Sequence, residues 1–260
     1  MKKILIALTI LLIITGCEVK PAVDQENPEV VKIQEESLLD KYKRIQPLIL
    51  KTELQQEVSE NIYEIRVTIP QFLGNNEDRA VKLINGQIRK DIDNYIERMG
   101  SIKKVEEGEH RPFSHSFSVE PEVMTNENGI LSISLNMNEY RGGAHGNYWS
   151  KLYNFDLLGG KEIKLKDFFK EDVDYLELIY QNILKQIEDN ELWTSNLKGY
   201  YYDDKVELSF FIEDGRIKIY FPPYGLGSYA DGEQVFEIPQ EALEKKLSDF
   251  GEVVYSVHRP

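Results

Sequence analysis

Apolar positions along this chain recur with two periods, and the switches between them mark out its elements. Tyr63, Ile65, Val67 and Ile69 alternate with Glu64, Arg66 and Thr68, the pattern of a half-buried strand. The preceding stretch, 48–55, is expected to pair with it through a turn near Ser59-Glu60-Asn61. Asn76-Glu77-Asp78 then signals a helix start, followed by Ala80, Leu83, Ile84, Ile88, Ile92, Tyr95 and Ile96 at helical spacing, with Gly100 expected to end the helix. Period two returns with Phe113, His115, Phe117 and Val119 opposite Ser114, Ser116 and Ser118. After a hairpin signal at Asn126-Glu127-Asn128-Gly129, Leu131, Ile133, Leu135 and Met137 alternate with Ser132, Ser134, Asn136 and Asn138. A further strand over 148–157 continues an antiparallel meander. Tyr175, Leu178, Ile179, Ile183 and Ile187 form the stripe of a second helix, opening near Asp172. Strands over 206–212 and 217–221 flank an Asp214-Gly215 turn; a short strand at 235–238 and a last helix over 239–250 follow.

Hairpin-joined strands with helices inserted between groups indicate an α+β class: antiparallel sheet(s) with two long helices and a C-terminal helix packed on one face. No βαβ rhythm and no fixed-period repeat is visible. The reading divides the chain into 1–16, 17–45, 46–110 and 111–250, and leaves open whether the last two blocks form one compact unit.

The N-terminus has a different character. Lys2 and Lys3 precede an unbroken apolar run from Ile4 to Ile14. Eleven helical residues cover about 16 Å, too short for a bilayer core of about 30 Å, so residues 1–16 read as a signal peptide. Ile14-Thr15-Gly16-Cys17 resembles the bacterial lipobox, which implies that Cys17 takes a diacylglycerol with palmitate-type acyl chains, becomes the new N-terminus and anchors the chain to the extracytoplasmic face of the cell membrane. Residues 18–28, polar with Pro21 and Pro28, read as a flexible tether. For 29–46, Val30, Ile33, Leu38, Tyr42 and Ile45 allow either a helical face or more tether.

Cys17 is the one cysteine, so no disulfide can hold the body. Loss of residues 1–16 leaves 29 basic against 45 acidic residues, a net charge of about −16. That balance argues against nucleic acid and favours a basic partner or simply a solvated surface.

Catalytic chemistry has no positive signature. There is no Gly-x-Ser-x-Gly turn, and His110, His115, His145 and His258 show no zinc-ligand spacing. No catalytic residue, metal ligand or cofactor is assigned, although 45 carboxylates prevent exclusion of an acid–base pair. Two segments stand out instead. Tyr140-Arg141-Gly142-Gly143-Ala144-His145-Gly146 is either a glycine-built corner or a loop presenting Arg141 and His145. Residues 222–232, rich in glycine and tyrosine, suit recognition. Tyr148, Trp149, Trp193 and Tyr200-Tyr201-Tyr202 add aromatics. Candidate partner-binding residues are Arg141, Gly142, Gly143, His145, Tyr148, Trp149, Tyr224 and Tyr229.

The run 140–146, with Asn154-Phe155-Asp156-Leu157, Gly160, Ile163-Lys164-Leu165-Lys166-Asp167-Phe168-Phe169, Phe221-Pro222-Pro223-Tyr224, Tyr229-Ala230 and Phe236-Glu237-Ile238-Pro239, resembles the PdaC/RsiV-like extracytoplasmic domain family. The strand and helix over 63–96 are similar to the module at the front of peptidoglycan deacetylases of that family. The resemblance implies a cell-envelope role. Family members bind lysozyme through the similar region or carry it ahead of a separate catalytic domain. The Asp/His metal motif of the deacetylases is not among these residues, so the implied function is a non-catalytic binding or sensor module for a lysozyme-like protein or a peptidoglycan-type glycan. The alternative is an enzyme or accessory factor acting on wall polysaccharide.

Overall fold

The computed structural model describes residues 36–59, 63–74, 79–106, 115–190, 192, 197–198 and 207–257. Cys17, the signal-peptide segment, the helix start at 76–78, His110, Phe113, Trp193, Tyr200-Tyr201-Tyr202 and His258 lie outside the described residues.

The first element settles the two readings of the 29–46 stretch over its described part. Ser37 accepts from Asp40 N at 3.2 Å and caps helix α1 (Leu38–Lys43). Tyr42 on this helix is buried, and residues 36–260 cluster as one unit, so 36–45 belong to the folded body rather than to the tether.

Strands β1 (Ile49–Ser59) and β2 (Tyr63–Leu73) pair antiparallel along their whole lengths, extending the expected hairpin. Helix α2 (Arg79–Glu106) follows and runs through Gly100 instead of ending there. A helical glycine costs about 1 kcal/mol against alanine, and a helix whose Ala80, Ile84, Ile88 and Ile92 are all buried can absorb that. β3 (His115–Glu127), β4 (Ile130–Tyr140), β5 (Asn147–Asp156) and the two-residue β6 (Lys161–Glu162) complete a six-stranded sheet in sequence order. Asn128 and Gly129 both take positive φ, 48° and 73°, as the β3–β4 hairpin turn requires.

One pairing departs from the antiparallel expectation. β2 and β3 run parallel, Tyr63 opposite His115 through Val67 opposite Val119, with α2 as the crossover. The unit is βαβ in form, but its single occurrence leaves no rhythm in the sequence. On the α2 side of the sheet lies a continuous apolar core containing Val67, Val119, Ile133, Leu135 and Phe155. Asp91 pins α2 to β5, accepting from Lys151 Nζ at 2.7 Å and from the Tyr153 hydroxyl at 2.8 Å.

The second half packs around its own core. Asp174 caps α3 (Tyr175–Asp189), whose Leu178, Ile179, Ile183 and Ile187 are buried as expected. β7 (Ser209–Glu213), β8 (Arg216–Phe221) and β9 (Gln234–Glu237) form a three-stranded antiparallel sheet. The expected last helix is two: α4 (Gln240–Leu243) and α5 (Asp249–Val257). Lys245 between them has φ 63°, and Ser248 Oγ accepts from Gly251 N at 3.1 Å, starting a new helix with its own cap.

The two sheets meet through polar atoms. Ser132 and Ser134, the polar positions of the β4 alternation, are fully buried. The outer edge of β7 lies against this side of the large sheet, and its backbone is satisfied by side chains. Ile212 N donates to Ser132 Oγ at 3.1 Å, Ile212 O accepts from Thr125 Oγ1 at 2.7 Å, and Phe210 O accepts from Asn154 Nδ2 at 2.8 Å. Ser132 in turn donates to Asn154 Oδ1 at 2.7 Å. Each buried edge group thus has a partner, as a low-dielectric seam demands.

Candidate functional site

The β4–β5 connection is a corner made from glycine. Gly142 and Gly143 have φ of 85° and 106°, and a Cβ on Gly146 would stand 2.8 Å from Glu139 O. Tyr140 closes the corner by donating to Gly143 O at 3.0 Å. Arg141 donates through Nε to Glu139, whose side chain is largely buried, while the guanidinium stays exposed. His145 Nδ1 lies 2.8 Å from Gly146 O, a contact that puts the ring proton on Nδ1. The glycines thus serve the corner, and the corner holds Arg141 and His145 outward.

The 222–232 loop is also shaped by its own chemistry. Leu226 is buried in the second core and anchors the loop, while Gly225 N donates to Pro222 O at 2.7 Å. Beyond the anchor, Ser228 N and Oγ donate to Asp231 Oδ2 at 2.6 and 2.7 Å. These two bonds hold the Asp231 carboxyl below the usual carboxylate range. Between Ser228 and Asp231 a single 3-10 turn projects Tyr229.

Tyr229 joins the two segments. Its ring stacks on His145 at 3.9 Å between centroids and 20° between planes. It meets Tyr148 edge-on at 5.8 Å and Tyr224 at 5.6 Å. Tyr224 is 58% exposed, so the cluster is a surface patch and not core. Trp149 does not join it. Neighbouring strand residues point to opposite faces, and Trp149 turns to the α2 side, where it packs near Tyr95 with ring centroids 6.4 Å apart.

Tyr148 also lines a groove of about 290 Å³ on the polar side of the large sheet. Its floor is a hydrogen-bonded chain. Asn136 Nδ2 donates to Glu122 Oε2 at 2.9 Å, and Asn136 Oδ1 accepts from Ser134 Oγ at 2.6 Å and Ser150 Oγ at 2.9 Å. Across the groove, Tyr220 accepts from Ser150 N at 2.9 Å and donates to Glu233. Burial, reinforced by the bond to Glu233, raises the Tyr220 hydroxyl well above its ordinary value, keeping it a donor. None of Glu122, Asn136, Ser150, Tyr220 and Glu233 stood out in the sequence; the polar positions of β4 and β5 were the available signal. Among the described residues, no group of three or more His, Cys, Asp and Glu side chains could hold a metal ion. No described helix is long and apolar enough to cross a membrane.

Comparison with known proteins matches the two halves of the body separately. Residues 56–148 match the family model described as Deacetylase PdaC, and residues 166–241 match that of the protein of unknown function DUF3298. The peptidoglycan-N-acetylmuramic acid deacetylase PdaC of Bacillus subtilis is 26% identical over 191 residues, 72% of this chain and 39% of its own length. The chain therefore spans well under half of that relative. A DUF3298 family structure from Bacteroides fragilis superposes with a TM-score of 0.59 at 19% identity, covering 80% of this chain and 98% of the other. One from Pseudomonas aeruginosa gives 0.58 at 13%, covering 78% and 95%. These two likenesses establish the shared fold.

Proposed function

We propose, taking as premise that this chain is a PdaC/DUF3298-like protein, that it is a non-catalytic binding module of the cell envelope, held at the extracytoplasmic face of the membrane by lipid on Cys17. Its recognition surface is the Tyr229-centred cluster with the adjoining groove, and its ligand is a peptidoglycan-type glycan. The observation carrying this reading is a cluster of partly exposed rings that reaches a hydrogen-bonding groove through Tyr148. Aromatic faces pack on the C–H faces of sugar rings, while Asn136, Ser150 and the two glutamates offer the donors and acceptors that hydroxyl and amide groups need. Sites of this type are concave, with a few convergent polar groups. The relative's action on peptidoglycan is consistent with a ligand of that class.

A second reading, a lysozyme-like protein as partner, is favoured by the acidic excess of the chain, which would speed encounter with a basic protein. Titration of the chain with purified muropeptides and with lysozyme separates the two. Saturable binding of muropeptides without product formation is expected, and Tyr229→Ala is expected to weaken it about tenfold or more with the melting temperature unchanged. Glycan turnover would replace the binding reading with an enzymatic one. The anchor is tested separately: Cys17→Ala should abolish lipid labelling, and continued labelling would remove Cys17 from its role.

A further inference from the structure

The face of β1 turned away from α2 is apolar where solvent is expected. In the β1–β2 ladder, Glu53, Gln55 and Glu57 lie beside Ile69, Val67 and Ile65, whose side chains enter the α2 core. Leu54 and Val58 therefore fall on the opposite face, while Leu50, of the same parity on β1, lies beside Phe72, which is itself buried in the α2 core. Leu50, Leu54 and Val58 are 37%, 51% and 61% exposed. β1 is also the end strand of the six-stranded sheet and eleven residues long, and among the described residues no strand pairs with its outer edge. A long edge carrying apolar side chains is a template for another strand.

From these residues we infer that β1 is a self-association edge, pairing antiparallel with β1 of a second copy about a two-fold axis through Leu54. The sequence of the strand is complementary to itself in that register. Leu54 meets Leu54, Leu50 meets Val58, Thr52 meets Gln56, Glu53 meets Gln55, and Lys51 meets Glu57. Apolar pairs share one parity of the strand and the opposite charges share the other, as cross-strand pairing rewards. Slipping by one residue sets Leu50 against Glu57 or Val58 against Lys51; slipping by two sets Glu53 against Glu57 or against itself. An edge lysine ordinarily blunts such pairing, but here each Lys51 finds a carboxylate. Glu57 already accepts from the Tyr63 hydroxyl at 2.7 Å, which holds it on the strand where the second copy's lysine would arrive. The contact is isologous and closes as a dimer.

The test is a photoreactive benzoylphenylalanine at position 54 of the full chain, irradiated in membranes, with the linked peptides mapped by mass spectrometry. A product of twice the chain mass, linked within residues 50–58, is expected. Lys51→Glu and Glu57→Lys should each lower its yield about tenfold, since two symmetric pairs change sign, and the double charge swap should restore it. A link to a different protein, a link back to residues 1–35 of the same chain, or no restoration by the double swap would overturn the proposal. Native mass spectrometry of the unmodified chain in detergent guards against a labelled variant that misfolds; a monomer at every concentration would also overturn it.

Discussion

The two faces of the six-stranded sheet are made of the same strands and behave in opposite ways. Toward α2, Val67, Val119, Ile133, Leu135 and Ile88 close into a single apolar layer with one purpose. Toward the other side, the alternate residues serve several. Ser132, Thr125 and Asn154 hold the edge of β7, Asn136 and Ser150 floor the groove, and Leu54 and Val58 meet solvent. Apolar contact is non-directional, so one such face can only close. Hydrogen-bonding side chains have direction, so a polar face can be divided among a seam, a groove and an edge.

Substitutions on the two faces test that division. The largest loss is expected from Ile133→Ala, which opens a cavity in the α2 core and should destabilise by about 2–5 kcal/mol in denaturant titration. Ser132→Ala comes next. It strands the buried Ile212 N–H and removes a donor from Asn154, at about 1–3 kcal/mol. A seam variant as costly as the core variant would show that the two halves are held mainly through their polar contact.

A smaller, pH-dependent effect is expected on both faces. Tyr153 on the α2 side and Tyr220 at the groove both have hydroxyls raised above the ordinary 10.0, chiefly by burial. A group whose folded pKa is raised stabilises fully below its unfolded pKa and loses that contribution as pH climbs above it. Stability should therefore fall above about pH 10, and Tyr153→Phe should flatten the fall. A fall left unchanged by Tyr153→Phe would assign it to other groups. The smallest stability change is expected from Tyr229→Ala, within about 0.5 kcal/mol as for a surface residue, while muropeptide binding weakens about tenfold or more. A stability loss comparable to that of Ser132→Ala would make the ring cluster a structural brace.

This contrast also explains what could be read in the sequence. The strands and helices were legible because one face of each is apolar, and that face leaves a period. The burial of the β4 serines was not legible because period-two polarity says only that a position is not apolar core; it does not distinguish water from a buried backbone edge. The parallel β2–β3 pair was missed because nothing in either strand records direction, and α2 between them reads the same for either pairing. At the site, the glycine corner and the tyrosine loop were each visible, but the stacking of His145 on Tyr229 joins residues more than eighty apart. Tyr148 and Trp149 stood side by side in the sequence, but neighbouring strand residues face opposite ways, so Tyr148 reaches the ring cluster while Trp149 packs near Tyr95.

The β2–α2–β3 crossover also bears on the order in which the chain assembles. β4 folds back on β3 through a two-residue turn, a closure of microseconds. Tyr63 must find His115 across fifty-two positions, with a 28-residue helix to be formed between them. Closing so long a span costs entropy before any contact repays it. The meander is thus expected to stand first, with β1 and β2 added as a late hairpin, and the apolar edge of β1 buried last or not at all. Pulse-labelled hydrogen exchange should show protection in 130–156 ahead of 63–67, and simultaneous protection would mean that the crossover forms with the nucleus. A chain that completes its sheet in this order forms β1 as an ordered edge only once the rest of the sheet is in place.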